Sequence, residues 1–267
     1  MDTAIFSPSS LFHDEEDEGR DVEEADNGNQ LQSYIERTHT FPGVVSFFSS
    51  IIISVFAVLT IREFSFHQFN ANLLWPGTFA FCEWLSQNRS LLEEQHVLEL
   101  GSGTGALAIF IRKSFGVDIT TSDYDDEEVE ENIAYNCKAN EVKILPHVSH
   151  TWGETFPVSE PDWDLIIASD ILLYVKQYPN LIKTLSFLLK NYKGRNMKSE
   201  VAGSSQHRRL VTVSGEEFLL QQPVFLMSWR RRIGGEESLF FSGCEDAGLV
   251  TKHIGSRVYC ISPRRET

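Results

Sequence analysis

Cysteine is scarce and scattered in this chain of 267 residues. Its four copies, Cys82, Cys137, Cys244 and Cys260, show no C-x-x-C spacing, which excludes a disulfide framework and a zinc site built on paired thiolates. A reducing compartment follows, with the cytoplasm or nucleus as the expected location. Basic residues are also few, 23 Lys and Arg against 38 Asp and Glu, for a formal net charge of −15. A chain so acidic offers no broad footprint for a phosphate backbone, although Arg230 to Arg232 form a local basic patch. Nucleic acid is therefore not the expected partner. An N-terminal secretory signal is missing too, because acids interrupt the first apolar residues almost at once.

The acidic excess is unevenly spread. Residues 14–26 hold nine acids and one arginine, a net of −8, with too few apolar groups to offset the entropy of ordering them. Residues 1–36 are expected to form a disordered acidic tail. A second run, Asp123 to Glu131, reads instead as the start of a helix, where negative side chains favour the positive end of the helix dipole.

Chemistry concentrates at Val97 to Ile109, VLELGSGTGALAI. An apolar strand ending in an acid runs into Gly101, Gly103 and Gly105 and then into a helix; a second strand, VDITTSD, ends in Asp123. Glycines let backbone approach a ligand where a side chain would collide, and an acid at the next strand tip can accept from both hydroxyls of a ribose. Dinucleotide sites space their glycines as G-x-G-x-x-G for a pyrophosphate on the helix N-terminus. Here the run is G-S-G-T-G, preceded by Glu99, which would repel a pyrophosphate and attract a cation. The amino-acid and sulfonium end of S-adenosyl-L-methionine fits better. The bland alternative is a tight strand-to-helix turn with no ligand.

These stretches resemble motifs I and II of the class I, seven-strand S-adenosylmethionine-dependent methyltransferases, from about Asn72 to Ser262. Within that class LLWPGTFAFCEWL, VLELGSGTG, HTWG and DWDLIIASDILLY are most similar to methyltransferase family 16, the protein-lysine methyltransferases. The resemblance implies that Trp75, Glu99, Gly101, Gly103, Gly105, Asp123, Trp152 and Ser169 hold the cofactor, with Trp152 and Gly153 beside the adenine. For Trp75 and Trp152 a purely core role stays open. It implies further that Asp170 and Tyr174 line the acceptor pocket. The family pattern at this point is D-x-x-Y, whereas the chain reads Asp170-Ile171-Leu172-Leu173-Tyr174, so the tyrosine arrives one residue late. Either Tyr174 still turns into the pocket or Leu173 takes its place; a surface position for Tyr174 is the third reading. Methylases of exocyclic or amide nitrogens read N-P-P-[YFW] here, and pyrimidine-carbon methylases use a P-C pair. The chain has neither at this site. The expectation is a monomeric protein-lysine methyltransferase with no metal; a small-molecule N- or O-methyltransferase and a non-catalytic cofactor-binding module are the alternatives.

The order of elements predicts an α/β fold, a doubly wound, Rossmann-like, seven-stranded sheet with an antiparallel last strand. Strands are expected at His96 to Leu100, Val117 to Ser122, Ile144 to Ser149, Asp164 to Ser169 and 223–229. The chain should close with strands at Leu249 to His253 and Arg257 to Ile261. Helices should open at Pro76, follow the glycines to Lys113, carry Val129, Ile133 and Cys137 on one face, and run from Tyr178 to Tyr192. The domain spans 62–267 in this reading, with a long loop at 194–222 carrying a hairpin at Arg209 to Val213. Residues 37–61 resist it. Val44 to Ile61 is apolar and uncharged, at the short limit for crossing a bilayer, which takes about 20 residues. A membrane anchor through 44–61, an apolar element packed on the domain, and an insertion between HTFPG and IREFSF that family members do without are the three readings.

Overall fold

The described structure, a computed structural model, takes in residues 33–48, 51–194, 208–229, 236–255 and 257–265. It opens with an antiparallel hairpin, β1 (Tyr34–Phe48) and β2 (Ile51–Phe64). There follow α1 (Pro76–Gln87), β3 (His96–Leu100), α2 (Ala106–Phe115), β4 (Asp118–Asp123), α3 (Glu127–Ala139), β5 (His147–Ser149) and β6 (Leu165–Ser169). Then come α4 (Tyr178–Lys190), a small hairpin β7 (Arg208–Val211) and β8 (Glu217–Leu220), β9 (Val224–Ser228), α5 (Glu237–Asp246), β10 (Leu249–His253) and β11 (Val258–Pro263). Seven strands make one sheet in the order β10-β11-β9-β6-β3-β4-β5. Strand β11 runs antiparallel to both neighbours while β3, β4, β5, β6 and β9 are parallel, as the sequence predicts.

Alternation along the central strands feeds two cores. Val97, Leu165, Ile167, Val224 and Leu226 face the layer of α1, α2 and α3. Leu98, Leu100, Ile166, Ala168, Phe225 and Met227 face that of α4 and α5. Both faces are covered, so β3 is buried at every residue, which is why it reads as a near-continuous apolar run. Full burial of each such side chain contributes about 1.5–3 kcal/mol. Helix α3 starts where the sequence places it. Asp126 caps it by accepting from the Glu128 amide at 2.8 Å, and Glu127, Glu128 and Glu130 sit in its first turn, against the positive end of the dipole. Val129, Ile133 and Cys137 are all buried.

Some boundaries differ from those expected. Tyr34, Ile35 and Glu36, placed in the tail by sequence, pair with Phe64, Glu63 and Arg62 in the hairpin; residues 1–32, with the acidic run at 14–26, lie outside the described residues, as does Arg230 to Arg232. Residues 44–48 and 51–61 are strand, in keeping with the reading of a packed apolar element, and among the described residues no helix is long and apolar enough to cross a membrane. The base of the hairpin belongs to the core: Phe41, Leu59 and Ile61 are fully buried, and the Phe41 ring stacks on Phe79 and Phe110 at 4.8 and 5.4 Å. Asn136 of α3 and Asn140 just after it lock it there, the Asn140 and Asn136 side-chain carbonyls accepting from the Thr60 and Arg62 amides at 2.9 and 2.7 Å. Finally, the third strand is shorter than predicted and begins at His147, leaving Ile144 exposed; part of the predicted loop, 195–207, lies outside the described residues.

Candidate functional site

The chain leaves β3 for β4 on one side and returns later to β6 on the other, so the C-terminal tips of β3 and β6 form the switch point where open α/β sheets bind ligands. Gly101 follows β3 and Asp170 follows β6. One pocket lies between them, lined among others by Trp75, Glu99, Gly101, Gly103, Asp123, Trp152, Ser169, Asp170 and Tyr174. Nine of the eleven residues singled out from sequence are thus brought together; Gly105 and Gly153 are not among its lining. Gly105 caps α2 with φ 75°, and a side chain there would sit 3.0 Å from Ile133 Cγ2. Its lack of a side chain lets α2 and α3 approach and does not line the pocket.

The glycine loop is fixed by β4. Ser102 donates and accepts across the strands, its amide to the Ser122 carbonyl at 3.1 Å and its hydroxyl accepting from the Ser122 amide at 3.1 Å. Asp123 at the tip of β4 accepts from the Gly103 amide at 2.6 Å and from the Tyr124 amide at 2.7 Å. Burial raises its carboxyl above the usual range, and these two amides pull it back. Gly101 adopts φ 64°, and a Cβ there would lie 2.8 Å from Ile171 Cγ2 and 3.5 Å from the Trp152 ring. Only glycine lets the loop pass under that wall.

Glu99 carries the strongest electrostatic signal. It is 1% exposed, and its Oε2 has no hydrogen-bond partner. Burial pushes its carboxyl well above the ordinary carboxylate range, with Asp123 adding to the rise. A buried acid with an unanswered oxygen beside a pocket is expensive unless a cationic group faces it. That is the demand that the ammonium of S-adenosylmethionine answers, so the residues present fit this cofactor.

On the other side, Asp170 sits 4% exposed at φ 54° and accepts from the Gly77 amide at 2.6 Å. Helix α1 needs that anion: Pro76 stands in its first turn and its N-cap residue, Trp75, supplies no capping side chain. A Cβ on Gly77 would lie 2.3 Å from Asp170 Oδ2, so the W-P-G run is the imprint of that approach. Asp170 therefore braces α1 as well as lining the pocket, a part that sequence alone did not assign to it. Ser169 shares a 2.9 Å hydrogen bond with Thr78 of the same helix. Both Leu173 and Tyr174 line the pocket, so the late tyrosine still reaches it. The HTWG stretch is held by α4, where Thr184 Oγ1 meets His150 Nε2 at 2.9 Å and accepts from the Gly153 amide at 3.0 Å. Burial lowers the His150 imidazole.

Sequence reasoning missed the strap between β2 and α1. Phe69, Asn70, Ala71, Leu73 and Leu74 roof the pocket, and the Ala71 carbonyl lies against Gly103. Buried His67 organises the strap, its Nδ1 accepting from the Phe69 and Ala71 amides at 3.2 and 3.3 Å. The only sequence signal was an Asn suited to a left-handed turn, Asn70 at φ 58°. Ser102 and Tyr124 were also missed as lining residues.

A seven-stranded sheet in this order, with an antiparallel last strand and a glycine loop at the switch point, defines the class I S-adenosylmethionine-dependent methyltransferase fold. More narrowly, the chain belongs to the lysine methyltransferase family, whose model matches residues 57–214. It is similar to a histone-arginine methyltransferase of Xenopus laevis, 28% identical over 119 residues, covering 44% of this chain and 51% of that protein. It is similar also to a protein N-terminal and lysine N-methyltransferase of Aspergillus fumigatus, 27% identical over 147 residues, 50% and 56% covered. A protein-lysine N-methyltransferase of Chaetomium thermophilum is 31% identical over 131 residues, 45% and 39% covered. The chain spans about half the length of the curated relatives it matches.

Proposed function

We propose that the chain is an S-adenosylmethionine-dependent methyltransferase acting on a lysine side chain of a protein. The observation that carries this reading is the continuity of one pocket from the orphaned carboxylate of Glu99 to the aromatic mouth at Tyr174. When bound, the cofactor supplies an electrophilic methyl group on a sulfonium. Glu99 would face its ammonium, the loop Gly101 to Gly103 would carry its methionine part, Asp123 would accept from the ribose, and Trp152 and Trp75 would flank it, with Ser169 beside them. Methyl transfer by displacement asks for alignment and exclusion of water more than for acid or base strength. Rings and leucine at the mouth serve both ends.

The acceptor side favours an alkyl amine. Nitrogen must offer a lone pair; a lysine amine sheds its proton when desolvated, whereas a guanidinium stays charged. Phe69, Leu173 and Tyr174 present a neutral, largely apolar mouth, and the one acid beside it, Asp170, is engaged by α1. The names of the relatives support protein acceptors in general, including arginine and N-terminal amines. We further read the protein as a monomer in the cytoplasm or nucleus, in keeping with four buried, unpaired cysteines. The domain assigned to 62–267 is taken to extend back through the hairpin. Incubation of the purified chain with labelled donor and an extract of its own source, followed by mass spectrometry, tests the reading. Label on lysine is the expected result; label confined to arginine or to small molecules, or no transfer, refutes it.

A further inference from the structure

Tyr174 poses a geometric problem that the structure answers with a second residue. One extra residue between acid and tyrosine carries the side chain to a different point of the turn after β6. The turn opens on Asp170, a non-glycine in the left-handed region at φ 54°. What remains is a tyrosine 40% exposed, starting a short 3-10 turn, where an unheld ring would sample several rotamers. It is held. The Asn70 side-chain amide donates to the Tyr174 hydroxyl at 2.5 Å, and the Phe69 ring meets the tyrosine ring edge-on at 6.5 Å.

Asn70 is itself rigidly placed. Its backbone is at φ 58°, its amide donates to the His67 carbonyl at 3.0 Å, and its carbonyl accepts from Trp75 Nε1 at 3.1 Å. The neighbouring Phe69 packs on Tyr124, the residue after Asp123, with centroids 4.8 Å apart. One turn of the strap thus touches the cofactor side through Tyr124 and the acceptor side through Tyr174.

We propose that Asn70 is a positioning residue for the acceptor: by tethering the Tyr174 hydroxyl it restores, from the strap, the placement that the D-x-x-x-Y spacing would otherwise lose. With one lone pair of the hydroxyl taken by Asn70, the oxygen keeps a second one, on a side chain that lines the pocket. It can accept one N–H bond of a primary amine, leaving the nitrogen lone pair for the methyl group. The inference rests on the proposed transfer to lysine.

Its test uses Asn70→Gly, which suits the left-handed backbone and removes only the amide, with Asn70→Asp as a second variant, Tyr174→Phe, and the double variant Asn70→Gly/Tyr174→Phe. Asn70→Gly and Tyr174→Phe are each expected to lower kcat/KM for a lysine-containing protein about three- to tenfold, the loss of one hydrogen bond, with S-adenosylhomocysteine affinity within about twofold. The double variant should be no worse than the poorer single one, the signature of a shared interaction. Additive losses, or unchanged kinetics in Asn70→Gly, overturn the proposal. So does an equal loss of cofactor affinity, which would mark collapse of the strap. A second readout needs no turnover: the Asn70 side-chain amide NMR signals, assigned by their absence in Asn70→Asp, should move in Tyr174→Phe. If they do not, the tether is refuted even in an active enzyme; if they move while the wild type methylates nothing, the tether stands and the functional reading falls.

Discussion

Replacing Glu99 by Gln removes a carboxyl whose ionisation burial opposes in the ligand-free protein. In the native state burial raises the carboxyl, so Glu99 keeps a proton at pH values where the unfolded chain has released it. Stability contributed through this group is greatest below the unfolded carboxylate pKa and falls as pH rises toward the raised one. Glu99→Gln should therefore stabilise the ligand-free protein near neutral pH, since the amide keeps the shape and sheds the desolvated charge. Cofactor binding should move the other way. An ammonium in the pocket favours the carboxylate, so binding expels a proton from Glu99 wherever the free protein holds one. Over that range affinity should climb by up to about tenfold per pH unit, or ~1.4 kcal/mol. Loss of the charged partner should cost about 1.5–3 kcal/mol, roughly 10- to 150-fold in dissociation constant. Calorimetric titration with S-adenosylhomocysteine, in two buffers of different ionisation enthalpy at several pH values, counts the released protons directly. If wild type and Glu99→Gln show parallel pH dependence, or equal affinity, Glu99 does not face the cation and the orientation of the ligand argued above is wrong.

Asp123→Ala should weaken the same binding by ~1.5–3 kcal/mol, read by the same titration at constant pH; unchanged affinity would remove the ribose role. Gly77→Ala puts a carbon 2.3 Å from Asp170 Oδ2 and should cost about 1–3 kcal/mol by overpacking, measured by urea unfolding. Since the damage passes through Asp170, combining it with Asp170→Ala should add little, and full additivity would count against the brace. Gly105→Ala should lower stability by about 1–2 kcal/mol because of its left-handed backbone, with the crowding against Ile133 adding to the loss; a thermal midpoint equal to wild type would contradict that.

How much of this was legible in the sequence follows from where the determining forces act. Strand β3 is buried on both faces and flanked by an acid and glycines, so its limits, His96 to Leu100, could be read directly. The hairpin could not, for a physical reason: Leu59 and Ile61 point into the core, but Phe56 and Val58 on the other face are apolar too and more than half exposed. Apolar residues on both faces blur the period-two signal that marks a strand and leave a profile close to that of a membrane span. The strap was invisible because its order comes from the side chains of His67 and Asn72 bonding to backbone, Asn72 Nδ2 donating to the Phe64 carbonyl at 2.9 Å, a pattern without period.

Asp170 is the more instructive case, because sequence put it in the right pocket for only part of its work. An acid at a strand tip announces that something will donate to it, and the donor here is the amide of Gly77, 93 residues earlier in the chain. The two positions explain each other: without a bare Gly77 the carboxylate could not approach, and without the carboxylate the first turn of α1 would lack its anion. Because Trp75 precedes that turn and its indole is tied to Asn70, the brace extends to the strap and so to Tyr174. The two ends of the pocket thus share one strut, and a change at Gly77, which does not line the pocket, should be felt at both.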